Sequence, residues 1–199
     1  EGESQRFVNG TWHQIGAEIS LAEANLQPIK LQAKEGLSLI NGTSQMCAYL
    51  TRAVLNMETL SLAADASIAC SLEAIRGSHK PFDRRIHASR PQLGQSLSAA
   101  RISELVANSE IMLSHVDCDR VQDAYCFRCA PQVHGPVIEL LRETRRMLEI
   151  EINSATDNPL VFVNEDDTAE IISGGNFHGQ NLSLASDSIA IACHELASI

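Results

Sequence analysis

Residues 43–76 read TSQMCAYLTRAVLNMETLSLAADASIACSLEAIR, 34 residues without a proline or a glycine. Helix breakers are absent, and strong helix formers dominate. At 100° per residue, Glu58, Asp65, Glu73 and Arg76 fall within an arc roughly 80° wide. Nearly everything else is Ala, Leu, Val, Ile, Met, Cys, Ser or Thr. A helix that is apolar on most sides is a central one, wrapped by several neighbours. At 1.5 Å per residue it would be about 50 Å long. Gly77 is placed to end it. On the other side, Asn41-Gly42-Thr43 reads as a turn followed by a helix cap.

Outward from this helix, residues 1–19 read as loop, and Ser20 as the cap of a short turn over Leu21–Leu26. Residues 78–90 form a basic, polar connection, and Pro91 to Ala107 a second helix with proline at its start. Pro136 opens a third helix running to Ile152. Leu160–Val163 and Glu170–Ile172 flank an acidic turn and predict one short hairpin. Gln180 to Ile199 carries a helical stripe of Leu182, Ala185, Ile189, Ala192, Cys193 and Leu196. That pattern ends without a glycine, proline or basic stop, and residue 1 is Glu. The reading is a mainly α protein with one β-hairpin, in which residues 1–199 are a single segment of a central helical domain truncated at both ends.

Composition narrows the function. Lys and Arg number 15 against 25 Asp and Glu, a net charge of −10, which argues against nucleic acid. Aromatic residues make up 4%, too few for base-stacking platforms. No apolar run is long enough to span a membrane, and no secretory leader opens the chain. Of six cysteines, Cys47, Cys70 and Cys193 lie in apolar helical runs and read as small buried hydrophobes in a reducing cytoplasm. Cys126 and Cys129 form a single CxxC, with Cys118 and His134 nearby. A structural zinc site usually needs a second pair, so two cysteines on a helical turn is the plainer reading and no metal is expected.

The densest polar stretch is 119–128, DRVQDAYCFR. On a helix Tyr125 and Arg128 share a face, with Gln122 one turn earlier. An amide, a phenol and a guanidinium in line suit a ligand bearing a carboxylate, since arginine offers a bidentate fork. An inter-helix salt-bridge network using Asp119, Arg120 and Asp123 is an equal alternative from spacing alone. Residues 174–178, GGNFH, lack a phosphate-loop lysine. They suit a tight turn that delivers Phe177 and His178 to a cleft.

Four segments in register carry a family resemblance: 34–43 (KEGLSLINGT), 120–129 (RVQDAYCFRC) with 131–135 (PQVHG), 153–160 (NSATDNPL) and 173–179 (SGGNFHG). Together they resemble the aromatic amino acid ammonia-lyases over essentially the whole chain, most closely the histidine branch. The resemblance implies a long-helix bundle, a cytoplasmic homotetramer with active sites built from three subunits, and an amino-acid substrate. It implies elimination of ammonia from L-histidine to give trans-urocanate, through a methylidene-imidazolone electrophile formed from an Ala-Ser-Gly. It further implies that Asn41 lies near the electrophile and the substrate amine. By the same likeness Gln122 and Tyr125 hydrogen-bond around the prosthetic group, Arg128 pairs with the substrate carboxylate, and Phe177 lines the pocket. The departures are specific. No Ala-Ser-Gly occurs in these 199 residues, and Cys126-Phe127 stand where Ser/Thr-Leu is more usual. In the family the catalytic base tyrosine also lies upstream, so these residues alone are expected to be silent. Tyrosine or phenylalanine ammonia-lyase and an aminomutase are the same-family alternatives. A non-catalytic helical oligomerisation or binding protein is the alternative of another class.

Overall fold

The computed structural model describes residues 2–199. The chain divides into two compact units, a smaller one ending at Asn41 and a larger one over Gly42–Ile199.

The smaller unit opens with a hairpin, β1 (Glu3–Val8) and β2 (Thr11–Gly16), paired antiparallel with Phe7 opposite Trp12. This corrects the loop reading of residues 1–19. Asn9 and Gly10 turn the chain with φ of 51° and 83°. Two positive φ values match the right-handed twist of the strands, and Asn-Gly is the pair that adopts them at least cost. The Phe7 and Trp12 rings lie 5.1 Å apart. Helices α1 (Ala17–Glu23) and α2 (Glu35–Ile40) follow. Helix α1 starts three residues before the expected Ser20 cap, and Ser20 instead shares a hydrogen bond with Ser4.

The larger unit is built on α3 (Ser44–Ala74), the long helix expected from its breaker-free sequence. It ends in a Schellman motif: the Gly77 N–H donates to the Leu72 carbonyl at 2.7 Å and the Arg76 N–H to Glu73 at 3.0 Å. The left-handed residue is Arg76, at φ 51°, rather than the glycine. Gly77 is needed for another reason, because a Cβ there would stand 2.4 Å from the Leu72 side chain.

A 3₁₀ turn (Lys80–Phe82) and α4 (Arg84–Ser89) replace the expected connection. Asp83 caps α4 by accepting from the Arg85 N–H at 2.8 Å. Then come α5 (Leu93–Leu105), α6 (Glu110–Leu113), the single turn α7 (Tyr125–Arg128) and α8 (Ala130–Ile152). Pro136 lies inside α8 rather than opening it. Pro131 already occupies the first turn, where its missing N–H costs nothing. The strands β3 (Leu160–Val163) and β4 (Ala169–Ile172) form the expected hairpin, and α9 (Gln180–Ser198) closes the unit.

Two apolar clusters lie along α3. Leu50, Val54 and Met57 pack with Val137 and Leu141 of α8 and with Leu182 and Ile189 of α9. Farther on, Ala69 and Leu72 pack with Ile102 of α5, Phe82 and Met112. Between these clusters along α3 comes Asp65, which is fully buried rather than on a wet arc with Glu58 and Glu73. Its Oδ1 accepts from Ser98 Oγ at 2.6 Å and faces His134 Nδ1 at 2.7 Å, and its Oδ2 accepts from Arg101 at 3.3 Å. A buried carboxylate persists only when paired in this way. Helices α5 and α8 meet with backbones in contact: a Cβ on Gly94 would stand 2.1 Å from the Gly135 carbonyl oxygen.

Cys47 is buried as expected, but Cys70 and Cys193 are exposed. They lie on helix faces that the other described residues leave uncovered. Among the described residues no helix is long and apolar enough to cross a membrane.

Candidate active site

The polar stretch 119–128 is only partly helical. Helix α7 begins at Tyr125, so Gln122 lies in the irregular segment before it rather than one turn earlier on a continuous helix. The segment is tied down by Asp123, whose carboxylate is buried. It accepts from the Ser78 N–H at 2.5 Å and from Arg120 at 3.0 Å. His115 adds a second tie, its Nε2 lying 2.7 Å from the Gly77 carbonyl. The expected inter-helix network is reduced to one pair within the segment, Arg120 with Asp123, whose further bonds to Ile75 and Ser78 fasten the segment to the end of α3.

Gln122, Tyr125 and Arg128 form a separate group. The one turn of α7 puts Tyr125 and Arg128 on the same side, with the guanidinium carbon 5.9 Å from the phenol ring centroid. The Arg128 Nη1 donates to Gln122 Oε1 at 2.6 Å. The stretch thus divides in two: Arg120 and Asp123 pair with each other, while Arg128 bonds Gln122 and lies over Tyr125.

Beside this group is a cavity of about 360 Å³, walled in part by Gln122, Asp123, Arg128, Gln132, His79 and Lys80. Two atoms at this site are buried without a hydrogen-bond partner, Arg128 Nε and Gln132 Oε1. Buried polar groups are nearly always satisfied, so an orphaned guanidinium N–H marks a place where a ligand completes the bonding. The charge balance agrees. Asp123 is matched by Arg120, whereas Arg128 and Lys80 have no ion-pair partner among the described residues. The arrangement suits an anion, and a planar fork suits a carboxylate best.

The other candidates lie elsewhere. Phe177 is half-exposed on the glycine-rich turn before α9 and does not wall this cavity. That turn is held by Asn158, whose Oδ1 accepts from Ser173 Oγ at 3.0 Å and from the Gly174 N–H at 2.7 Å. Asn176 in turn donates to the Ala155 carbonyl at 3.4 Å. Segments 153–159 and 173–178, two of the four that carry the resemblance, are therefore bonded to each other. Thr43 does not cap α3 with its side chain. Its Oγ1 donates to Glu151 at 2.8 Å, and its N–H to Thr156 Oγ1 at 3.4 Å. Gly42 lies so close to that loop that a Cβ would stand 2.2 Å from the Thr156 carbonyl oxygen. Asn41 follows α2 as its C-cap, its N–H donating to Leu37 at 2.9 Å, and closes the smaller unit.

Cys126 and Cys129 are half-buried free thiols, and no group of three His, Cys, Asp or Glu among the described residues has metal-holding geometry. Sequence reading placed Asp123 in a salt-bridge network without its bond to Ser78, and it did not reach Gln132. No spacing marks Gln132 in the sequence, since α7 and α8 are not one continuous helix.

Comparison with known proteins agrees over the full length. The family model for aromatic amino acid lyases matches residues 1–199. The histidine ammonia-lyase of Myxococcus xanthus is 50% identical over 198 residues, covering all of this chain and 38% of that relative. The chain thus spans well under half the length of this curated relative. The crystal structure of histidine ammonia-lyase from Trypanosoma cruzi superposes with a TM-score of 0.82 at 40% identity, covering 98% of this chain and 35% of that one. A tyrosine aminomutase from Streptomyces globisporus does so with a TM-score of 0.84 at 35% identity, covering 98% and 40%. On the family match and the fold together, the chain belongs to the aromatic amino acid lyases.

Proposed function

We propose that the protein carrying this segment is a histidine ammonia-lyase, which eliminates ammonia from L-histidine to give trans-urocanate. The observation that carries the proposal is Arg128, a guanidinium with an orphaned N–H at the wall of a cavity of about 360 Å³. It supplies what an α-amino acid substrate needs first, a bidentate partner for its carboxylate. The identity of 50% to a histidine ammonia-lyase supports histidine as the amino acid.

Arg128 fixes one end of the substrate, so that its amino group and β-carbon take up a defined position. Gln122 holds the guanidinium by Oε1, which leaves its amide N–H groups free to donate. Tyr125 is 69% exposed, so its hydroxyl is also free to bond outward. These neutral donors fit a methylidene-imidazolone, whose ring presents acceptor oxygen and nitrogen atoms. Gln122 and Tyr125 are the residues of this group that would hold it, with Asn41 and Phe177 assigned to it by the family resemblance alone. When bound, that group supplies an electrophile for the substrate amine, which makes ammonia a workable leaving group. The 199 residues contain no Ala-Ser-Gly from which it could form. The proposal accordingly assigns activity to the complete protein, a cytoplasmic homotetramer in which this region is part of the central helical domain.

The test is ammonia release by the complete protein offered L-histidine, L-tyrosine and L-phenylalanine separately. Release from histidine alone, with urocanate as product, is the expected result. Release from tyrosine or phenylalanine instead would move the protein to another branch of the family. A β-amino acid product would make it an aminomutase.

A further inference from the structure

Arg128 Nε and Gln132 Oε1 are complementary, a donor and an acceptor, and both are buried without a partner. Both side chains line the same cavity. The residues lie four apart, on either side of the junction of α7 and α8. A buried polar atom without a partner is costly, so two complementary ones at one cavity call for a restraint that keeps them from each other. That restraint is visible. Gln122 Oε1 takes Arg128 Nη1 at 2.6 Å from the opposite side in sequence. Of the two carboxamides that share the cavity wall with it, the guanidinium is bonded to one.

We propose that Gln132 is a positioning residue for the substrate carboxylate. Resting on the reading of Arg128 as the carboxylate partner, the inference is that the arriving carboxylate displaces Gln122 from the guanidinium. The guanidinium then turns so that its Nε–H bonds Gln132 Oε1. The ligand-free arrangement leaves two polar groups unsatisfied, and the liganded one satisfies both. Gln132 thus sets the plane in which the arginine fork meets the carboxylate, without touching the substrate itself. The consequence is selective, because only ligands that carry a carboxylate gain from Gln132.

The experiment uses the complete enzyme and three variants. Gln132→Met keeps the length of the side chain and loses the acceptor. Gln132→Asn keeps the amide but draws it back by one methylene. Arg128→Met tests the underlying reading. The expected result for both Gln132 variants is a KM for L-histidine raised about tenfold with kcat held within about twofold, the pattern of lost uniform binding. Inhibition by imidazolepropionate, which has the carboxylate, should weaken in the same ratio, whereas inhibition by imidazole, which lacks it, should not change. A Gln132→Met enzyme with unaltered KM would overturn the proposal. So would equal weakening of both inhibitors, which is what a merely structural role produces. If Arg128→Met also leaves KM and imidazolepropionate inhibition unaltered, the carboxylate reading itself fails. If Arg128→Met loses both while Gln132→Met loses neither, only the role of Gln132 fails.

Discussion

Asp65 and Arg128 are both charged groups set into an apolar helical frame, and the frame treats them in opposite ways. Asp65 is surrounded by Ser98, Arg101 and His134, so both of its oxygens are engaged. Arg128 has one bond to Gln122, an aromatic face beside it, and an Nε–H with nothing to meet. The Asp65 partners come from α5 and α8, regular helices locked to α3 by packing. The Arg128 partners come from a single helical turn and the irregular segment before it. A charge whose bonding is complete holds elements together, and one whose bonding is incomplete is free to hold something else. This difference separates structure from function here better than burial does, since Asp123 is buried and yet serves only as an anchor.

The comparison is broken most severely at Arg128. Replacement by methionine removes the carboxylate fork while leaving an apolar stem to pack. The expected loss in kcat/KM for the complete enzyme is about a thousandfold, with little change in melting temperature. Steady-state kinetics beside a thermal melt separates the two quantities.

Asp65→Ala should do the reverse. It strands Ser98 Oγ and His134 Nδ1 in a dry interior, and removing one partner of a buried charged cluster costs about 3–5 kcal/mol. Chemical denaturation should show that loss, while kcat/KM per folded molecule stays within a few-fold of the parent. A stability loss below about 1 kcal/mol would mean that the cluster is not the joint it is taken for.

Gly135→Ala sharpens the structural side of the contrast. The added Cβ would stand 2.4 Å from the Gln95 amide nitrogen and 2.6 Å from its Cα. These are backbone atoms, which cannot swing aside as a side chain would. The expected cost is about 1–3 kcal/mol, read as a lower denaturation midpoint with an unchanged slope.

These residues also mark how far the sequence could be read. Helix α3 was legible because 34 residues without a breaker have few other fates. The hairpin β3–β4 and helix α9 were legible from turn residues and spacing. The first hairpin was overlooked although Asn9-Gly10 signals it, because the strands around it alternate weakly and both faces are largely exposed. The burial of Asp65 was not legible at all. Its partners lie 33, 36 and 69 residues away, and helical periodicity carries no information at that range. At the candidate site, that Gln122, Tyr125 and Arg128 come together was legible from their spacing, but their geometry was not. The chain brings Gln122 to Arg128 by a loop, where the spacing had suggested a helix. Gln132 stayed hidden because an orphaned acceptor is visible only in three dimensions.

Cys47 offers the smallest test and the finest one. It lies in the apolar cluster of α3, near Glu151 and Thr43, and its thiol is held above its ordinary value. Burial is the main cause and the Glu151 charge the second, with a hydrogen bond from Thr43 acting the other way. The sign follows from linkage. A folded-state value above the unfolded one favours the neutral thiol, so its contribution to stability is complete below the unfolded value of about 9. It is lost as pH rises through the higher folded value. Cys47 should therefore alkylate more slowly than exposed Cys118 at pH 8, by about tenfold or more, since only the thiolate reacts. Glu151→Gln removes the charge but keeps an acceptor for Thr43 Oγ1, so the α3 terminus stays tied. Labelling of Cys47 in that variant should rise about two- to threefold at fixed alkaline pH, as a small drop in thiol pKa requires. No change would mean that burial alone sets the thiol, and that the Glu151 carboxylate is spent entirely on Thr43, complete in its bonding as Asp65 is.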